Sequence, residues 1–229
     1  TYGAGGWDLR FEDMKRIGDW EYVLGVNFMN QHLSYVTIMG ARKRDHPQAF
    51  SYHEPWWNNY KPVGDYFGRL SLALSSGEQI NRIIVLEPTT TAWMYYSSSQ
   101  KNSKMDEIGK SFMSLLLDLE KYQVEYDLGS ENIISNFGSV ESGKAFVGKR
   151  SYDLFVIAPN TENLEGTTVK YLEKYISTGG KVLSFSEIPS YVDGKRSDVL
   201  KNVVEKYSGQ WIKAVSISDE GTREILAAK

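Results

Sequence analysis

Three short runs, INRIIVLEP (80–88), YDLFVIAP (152–159) and KVLSF (181–185), limit this chain most strongly. Each holds an unbroken apolar stretch, and the first two stop at a proline. A strand with one face in water alternates polar and apolar residues, whereas one that is apolar throughout is buried on both faces. Between and around these runs lie helical patterns. Residues 104–121 put Ile108, Phe112, Leu115, Leu116 and Leu119 on one face. TTVKYLEKYISTGG (167–180) stops at Gly179-Gly180, and 197–208 is a further helix. QVEYDLG (123–129) and QWIKAV (210–215) read as strands, SENIISN (130–136) as a short helix capped by Ser130, and 138–148 as a hairpin turning at Ser142-Gly143. Alternating strands and helices with right-handed crossovers predict an α/β fold: a doubly wound, mostly parallel, flavodoxin-like sheet.

The part before residue 64 has a different character. It carries Trp7, Trp20, Trp56, Trp57 and all three histidines, while only Trp93 and Trp211 follow. That shift predicts a boundary, giving segments 1–63, 64–218 and a tail 219–229. Residues 11–25 have helical spacing, with Asp8 as N-cap and Gly25 as stop, and 26–35 alternates as a strand does. Residues 65–77 are expected as a helix ended by Gly77.

The densest chemistry lies in RKRDHPQAFSYHEPWWNNY (42–60), with Arg42, Lys43, Arg44, His46, His53, Glu54 and five aromatic rings. Ring faces cover C–H surfaces, and charged groups meet hydroxyls, so this loop suits a polyhydroxylated ligand. It equally suits a loop packed on its own domain, with tryptophans as core plugs. Both readings stand at this point. Glu54, between His53, Pro55 and two tryptophans, is the candidate catalytic carboxylate, with Asp45 as the other acid in the loop. His32, His46 and His53 match no compact metal motif, and no metal site is expected.

Composition removes other classes. A net charge of −3 and a pI near 5.7 argue against nucleic acid as the main partner. The absence of cysteine excludes disulfides and thiolate chemistry. No apolar run reaches the length of a membrane span. There is no GxGxxG after a strand, no GxxxxGK[ST] and no GxSxG. Thr89–Thr91, after the first apolar strand, is a weak phosphate or flavin cradle; no cofactor is expected. The chain opens at Thr1 within TYGAGGW and shows no signal-peptide pattern, so the expectation is a mature product or a piece of a longer protein.

The run from TYGAGGW through GVNFMNQH, RKRDHP and HEPWW to DYFGRLS resembles the last part of the catalytic barrel of bacterial glycoside hydrolases. The likeness is to the α-L-rhamnosidase-like proteins of glycoside hydrolase family 106. The continuation, LSSGEQINRIIVLEP and YDLFVIAPNTENLEGTTVKYLEKYISTGGKVLSF, resembles the flavodoxin-like, class I glutamine amidotransferase-like domain that follows such barrels; a related domain in some β-galactosidases mediates trimerisation. The resemblance implies a partial (β/α) barrel segment over 1–63, with Asn30 and His32 near the carboxyl end of a late barrel strand. It implies that Tyr2, Trp7, His53, Trp56 and Trp57 line a sugar pocket. It implies a carbohydrate as the parent's partner, the remaining barrel as a structural partner, and a periplasmic or extracellular location. An incomplete barrel exposes apolar edges, which invites association as a homo-oligomer and leaves the oligomeric state open at this point. The earlier barrel strands, with most of the acid/base machinery, have no counterpart in these residues, so the chain alone is expected to be inactive.

Overall fold

The computed structural model describes Tyr2 and residues 6–32, 34–44 and 49–228. The chain divides into two compact units, Thr1–Gln79 and Ile80–Lys229.

The first unit contains α1 (Phe11–Val23) and α2 (Lys61–Ser75), with short 3-10 turns at Gly6–Asp8, Gly40–Arg44 and Trp57–Asn59. Arg10, not Asp8, caps α1: its side chain and backbone bond Asp13. Gly25 adopts φ +99° just past the helix, the left-handed conformation that a glycine stop supplies. The two helices meet closely. A Cβ at Gly18 would lie 2.3 Å from the Phe67 ring, so only glycine admits this approach. Tyr22 stacks on Phe67 with centroids 5.7 Å apart, and the Tyr66 hydroxyl donates to Asp19 at 2.7 Å.

Residues 26–35, expected as a strand, form none among the described residues. A strand is held by a ladder with a neighbour, and no described segment of this unit pairs with it. The segment is tied down by side chains instead: the Gln31 amide donates to the Tyr2 hydroxyl at 3.3 Å and the Ser34 hydroxyl to the Phe50 carbonyl at 2.8 Å. The compositional shift at 64 falls inside α2, whose Val63, Phe67 and Leu70 pack in one cluster with the aromatic loop.

The second unit is the α/β domain. Its elements run β1 (Ile83–Leu86), α3 (Thr89–Tyr95), α4 (Ser103–Lys121), β2 (Asp127–Gly129), α5 (Glu131–Phe137), β3 (Gly138–Glu141), β4 (Lys144–Val147), β5 (Arg150–Tyr152) and β6 (Leu154–Ile157). They continue with β7 (Asn163–Leu164), α6 (Gly166–Ser177), β8 (Lys181–Ser184), β9 (Tyr191–Val192), β10 (Lys195–Arg196), α7 (Val199–Lys206), β11 (Trp211–Lys213) and α8 (Glu220–Ala227). Five strands form a wholly parallel sheet in the order β2-β1-β6-β8-β11. Counted along the chain, these are strands 2-1-3-4-5, the flavodoxin-like winding that the apolar runs predict.

Both sheet faces are covered, which explains the unbroken apolar runs. Ile84, Leu86, Phe155, Ile157 and Val182 face α5, α6 and α7 through Ile134, Leu172, Tyr175 and Leu200. Ile83, Val85, Leu154, Val156 and Leu183 face α4 and α8 through Leu115, Leu119 and Leu226. Each fully buried side chain of this kind contributes about 1.5–3 kcal/mol of transfer free energy. Ser142 and Gly143 both take positive φ in the β3–β4 turn, as the hairpin reading requires. Three features go beyond that reading. β5 extends the hairpin to three strands, β7, β9 and β10 form a second small sheet, and residues 219–229, read as a tail, carry α8. Asp219 caps α8 by accepting from the Thr222 backbone at 3.0 Å.

Candidate functional site

The aromatic loop is anchored by three of its five rings and presents the other two. Phe50 is buried, and Trp56 and Tyr60 are half-buried. Trp56 sets its edge against Phe11 (centroids 5.6 Å) and Phe50 (5.8 Å), and lies 5.5 Å from Tyr60. These edge-to-face contacts fix the loop on α1. Trp57 stacks on Tyr60 at 5.8 Å and 14°, yet remains 40% exposed, and Tyr52 is 73% exposed. Consecutive one-turn bonds run Glu54 N to Ser51 O, Trp57 N to Glu54 O and Tyr60 N to Trp57 O. They coil residues 51–60 so that Trp56 turns inward and Trp57 outward.

Glu54 belongs to the same coil, its carbonyl accepting from the Trp57 N–H. Its side chain is 3% exposed, and neither carboxyl oxygen has a hydrogen-bond partner. Burial pushes the carboxyl up from its ordinary value of 4.5. The buried Tyr60 hydroxyl also makes no well-formed hydrogen bond, and burial raises it as well. Buried polar atoms are nearly always paired, and an unpaired one costs stability.

The other expected site residues are spread through the first unit. Tyr2 is in its core at 3% exposure, beside Phe50 and Phe67. Trp7 is 39% exposed in the first 3-10 turn. Asn30 and His32 are exposed on the segment after Gly25. His53 is half-buried, its Nδ1 3.0 Å from the Ser51 hydroxyl and its ring 4.3 Å from that of Tyr52. The ring contacts thus join Tyr2, Phe50, Trp56 and Trp57 in one cluster. Asp45 and His46 lie outside the described residues. The described residues hold no group of three or more metal-ligating side chains, and no helix among them is long and apolar enough to cross a membrane.

In the second unit, the crevice at the carboxyl ends of β1 and β6 is the usual ligand position of such a sheet. Here it is filled by the protein's own polar groups. The Thr90 hydroxyl donates to buried Glu131, whose other oxygen accepts from the Glu165 backbone at 2.6 Å. Burial raises the Glu131 carboxyl, and these two bonds oppose the rise. The Thr91 hydroxyl accepts from the backbones of Glu162 (3.0 Å) and Asn163 (2.9 Å) and donates to the Asn163 carbonyl (3.2 Å). The Asn163 side chain in turn accepts from Gly194 at 2.9 Å. The Thr90 proton and the Thr91 hydroxyl are thus engaged within the protein, which counts against these two members of the Thr89–Thr91 cradle, while Thr89 is exposed. Sequence reasoning missed this network. Glu131 looks like an ordinary acid in a helix's first turn, and no spacing signals partners 34 and 41 residues away.

The chain matches no protein-family model. It is 25% identical to a protein of Formosa agariphila named "putative beta-glucuronidase", over 79% of this chain and 14% of that protein. It is also similar in fold to a rhamnosidase of known structure from Novosphingobium sp. PP1Y, with a TM-score of 0.65 and 15% identity, over 99% of this chain and 22% of the rhamnosidase. The chain therefore spans less than a quarter of either protein. Both are named as glycosidases.

Proposed function

We propose that this chain is the end of the catalytic barrel and the following flavodoxin-like domain of an α-L-rhamnosidase-like glycoside hydrolase, inactive by itself. The observation that carries the reading is the split within the 50–60 loop. Phe50, Trp56 and Tyr60 hold the loop down, while Trp57 and Tyr52 offer ring faces beside hydrogen-bonding groups. Two exposed rings within six residues, interleaved with His53 and Glu54, make a surface suited to a ligand with apolar faces and hydroxyls. The names of the two similar proteins point to a sugar as what those rings meet. In this reading Trp57 is the stacking platform and Trp56 its support. Trp7, Asn30, His32 and His53 belong to the surrounding wall, and the rest of the barrel supplies the acid and base. The parent works outside the bacterial cytoplasm on plant or host polysaccharide.

The test assays the parent and this chain side by side on a panel of aryl glycosides that includes the α-L-rhamnoside and the β-glucuronide. Activity in the parent alone supports the reading. Activity in the chain alone would move the catalytic carboxylate to Glu54 or a neighbour. Silence in both would favour the second reading, an assembly module without catalysis. One observation favours that alternative: Trp93, Tyr96, Met113 and Leu117 of the α3–α4 region lie exposed.

A further inference from the structure

Glu54 has a cost without a visible structural return. Its carboxyl lies buried with both oxygens unpaired, in a loop whose backbone turns and ring contacts are complete without it. The buried Glu131 makes the contrast, because its oxygens hold Thr90 and the backbone before α6. Around Glu54 in the loop, Tyr52, Pro55 and Trp57 are exposed, and the Trp57 N–H donates to the Glu54 carbonyl at 3.2 Å, which holds the two residues one turn apart. An unpaired carboxyl breaks no hydrogen bond when it rotates toward a ligand, and side-chain rotation on binding is common.

We propose that Glu54 is a ligand-binding carboxyl that takes two neighbouring hydroxyls of a pyranose ring, one on each oxygen, while Trp57 covers the ring's C–H face. This deepens the reading of the loop as a sugar platform and rests on it. A vicinal diol fits two oxygens on one carbon, and each hydroxyl both donates and accepts, so the grip works whether the acid is charged or neutral. Aromatic face and paired acceptor together select a neutral polyol over an anion or a peptide. The group's raised proton affinity has the same origin, an apolar setting in which any hydrogen bond is strong.

The experiment uses the whole chain and two variants, Glu54→Met and Glu54→Gln, with methyl α-L-rhamnoside, methyl α-D-mannoside and methyl β-D-glucoside as probes. Binding is read by ligand-observed NMR, and folding by the melting temperature. The expected result has three parts. The Met variant melts at or above the parent chain, since it removes an unpaired buried group while keeping the volume. It loses roughly tenfold or more in affinity for the probe that binds best. Gln, which retains a donor and an acceptor, loses less. A Met variant that binds as the parent chain does overturns the assignment of Glu54, and leaves the glycosidase reading to the parent's activity assay. A Met variant that melts clearly lower overturns it too, because the carboxyl would then be structural. Absence of binding by every probe to the unmodified chain also overturns it, again without touching the parent assay.

Discussion

Replacing Thr91 with valine tests whether the crevice between β1 and β6 is closed by the protein's own bonds. The swap keeps the shape and removes one hydroxyl. That hydroxyl accepts from the Glu162 and Asn163 amides and donates to the Asn163 carbonyl, at a side chain with no exposure. Valine would leave two N–H groups unpaired, while the Asn163 carbonyl keeps the Thr90 hydroxyl at 3.3 Å. Each buried group left unpaired costs about 1–3 kcal/mol, and the added methyl returns about 1 kcal/mol, so the net loss is about 1–5 kcal/mol. For a unit of roughly 150 residues this is a fall in melting temperature of about 10 °C. Differential scanning calorimetry reads that fall. Amide hydrogen exchange should lose protection at Glu162 and Asn163 specifically. Thr91→Ser keeps the hydroxyl and should keep both amides protected, losing only the methyl's packing. A valine variant within about 0.5 kcal/mol of the parent chain, with both amides still protected, would refute the argument that these bonds seal the crevice.

Three further outcomes are expected. Because burial raises the Glu54 carboxyl above its unfolded value of 4.5, the folded state binds its proton more tightly; its penalty is absent well below pH 4.5, grows as pH rises past that value, and is complete above the raised pKa. Urea melts of the parent chain and Glu54→Gln across this range should therefore diverge as pH rises, with the glutamate form losing ground; parallel curves would show that Glu54 is solvated. Gly180→Ala would place a Cβ 2.3 Å from the Tyr175 ring, which is fully buried and anchored by its hydroxyl to the Asp153 carbonyl; a loss of about 1–3 kcal/mol should appear as a lower urea midpoint with unchanged slope. On the proposed platform reading, Trp57→Ala in the longer parent protein should weaken sugar binding by roughly 1–3 kcal/mol; unaltered affinity would remove it from the platform.

Legibility of the sequence differed between the two units for a physical reason. In the second unit, burial on both faces writes itself directly into IIVL, LFVI and KVLS, and the amphipathic helices between them carry their own period. The helix at Thr89–Tyr95 was not legible, because its threonines resemble a loop until Thr90 and Thr91 find partners in Glu131 and Asn163. In the first unit, alternation over 26–35 suggested a strand, but alternation states only which residues could share a face. A strand needs a neighbour to exist, and none of the described residues provides it.

The aromatic loop shows the same limit at the level of the site. Its residue types announced themselves in the sequence, yet packing and ligand contact could not be separated there, since both use tryptophan and tyrosine. Folding divided the rings: Trp56 packed edge-on against Phe11 and Phe50, and Trp57 stayed partly exposed. For this protein the order of residues by itself determined the α/β class, the apolar core strands, the hairpin at Ser142-Gly143 and the exclusion of cysteine chemistry. All of these depend on local pattern or on composition. Only the tertiary structure decided the strand order β2-β1-β6-β8-β11, the sealing of the crevice by Thr91 and Glu131, and the isolation of the Glu54 carboxyl. Those depend on which distant groups meet, and on which buried group meets none.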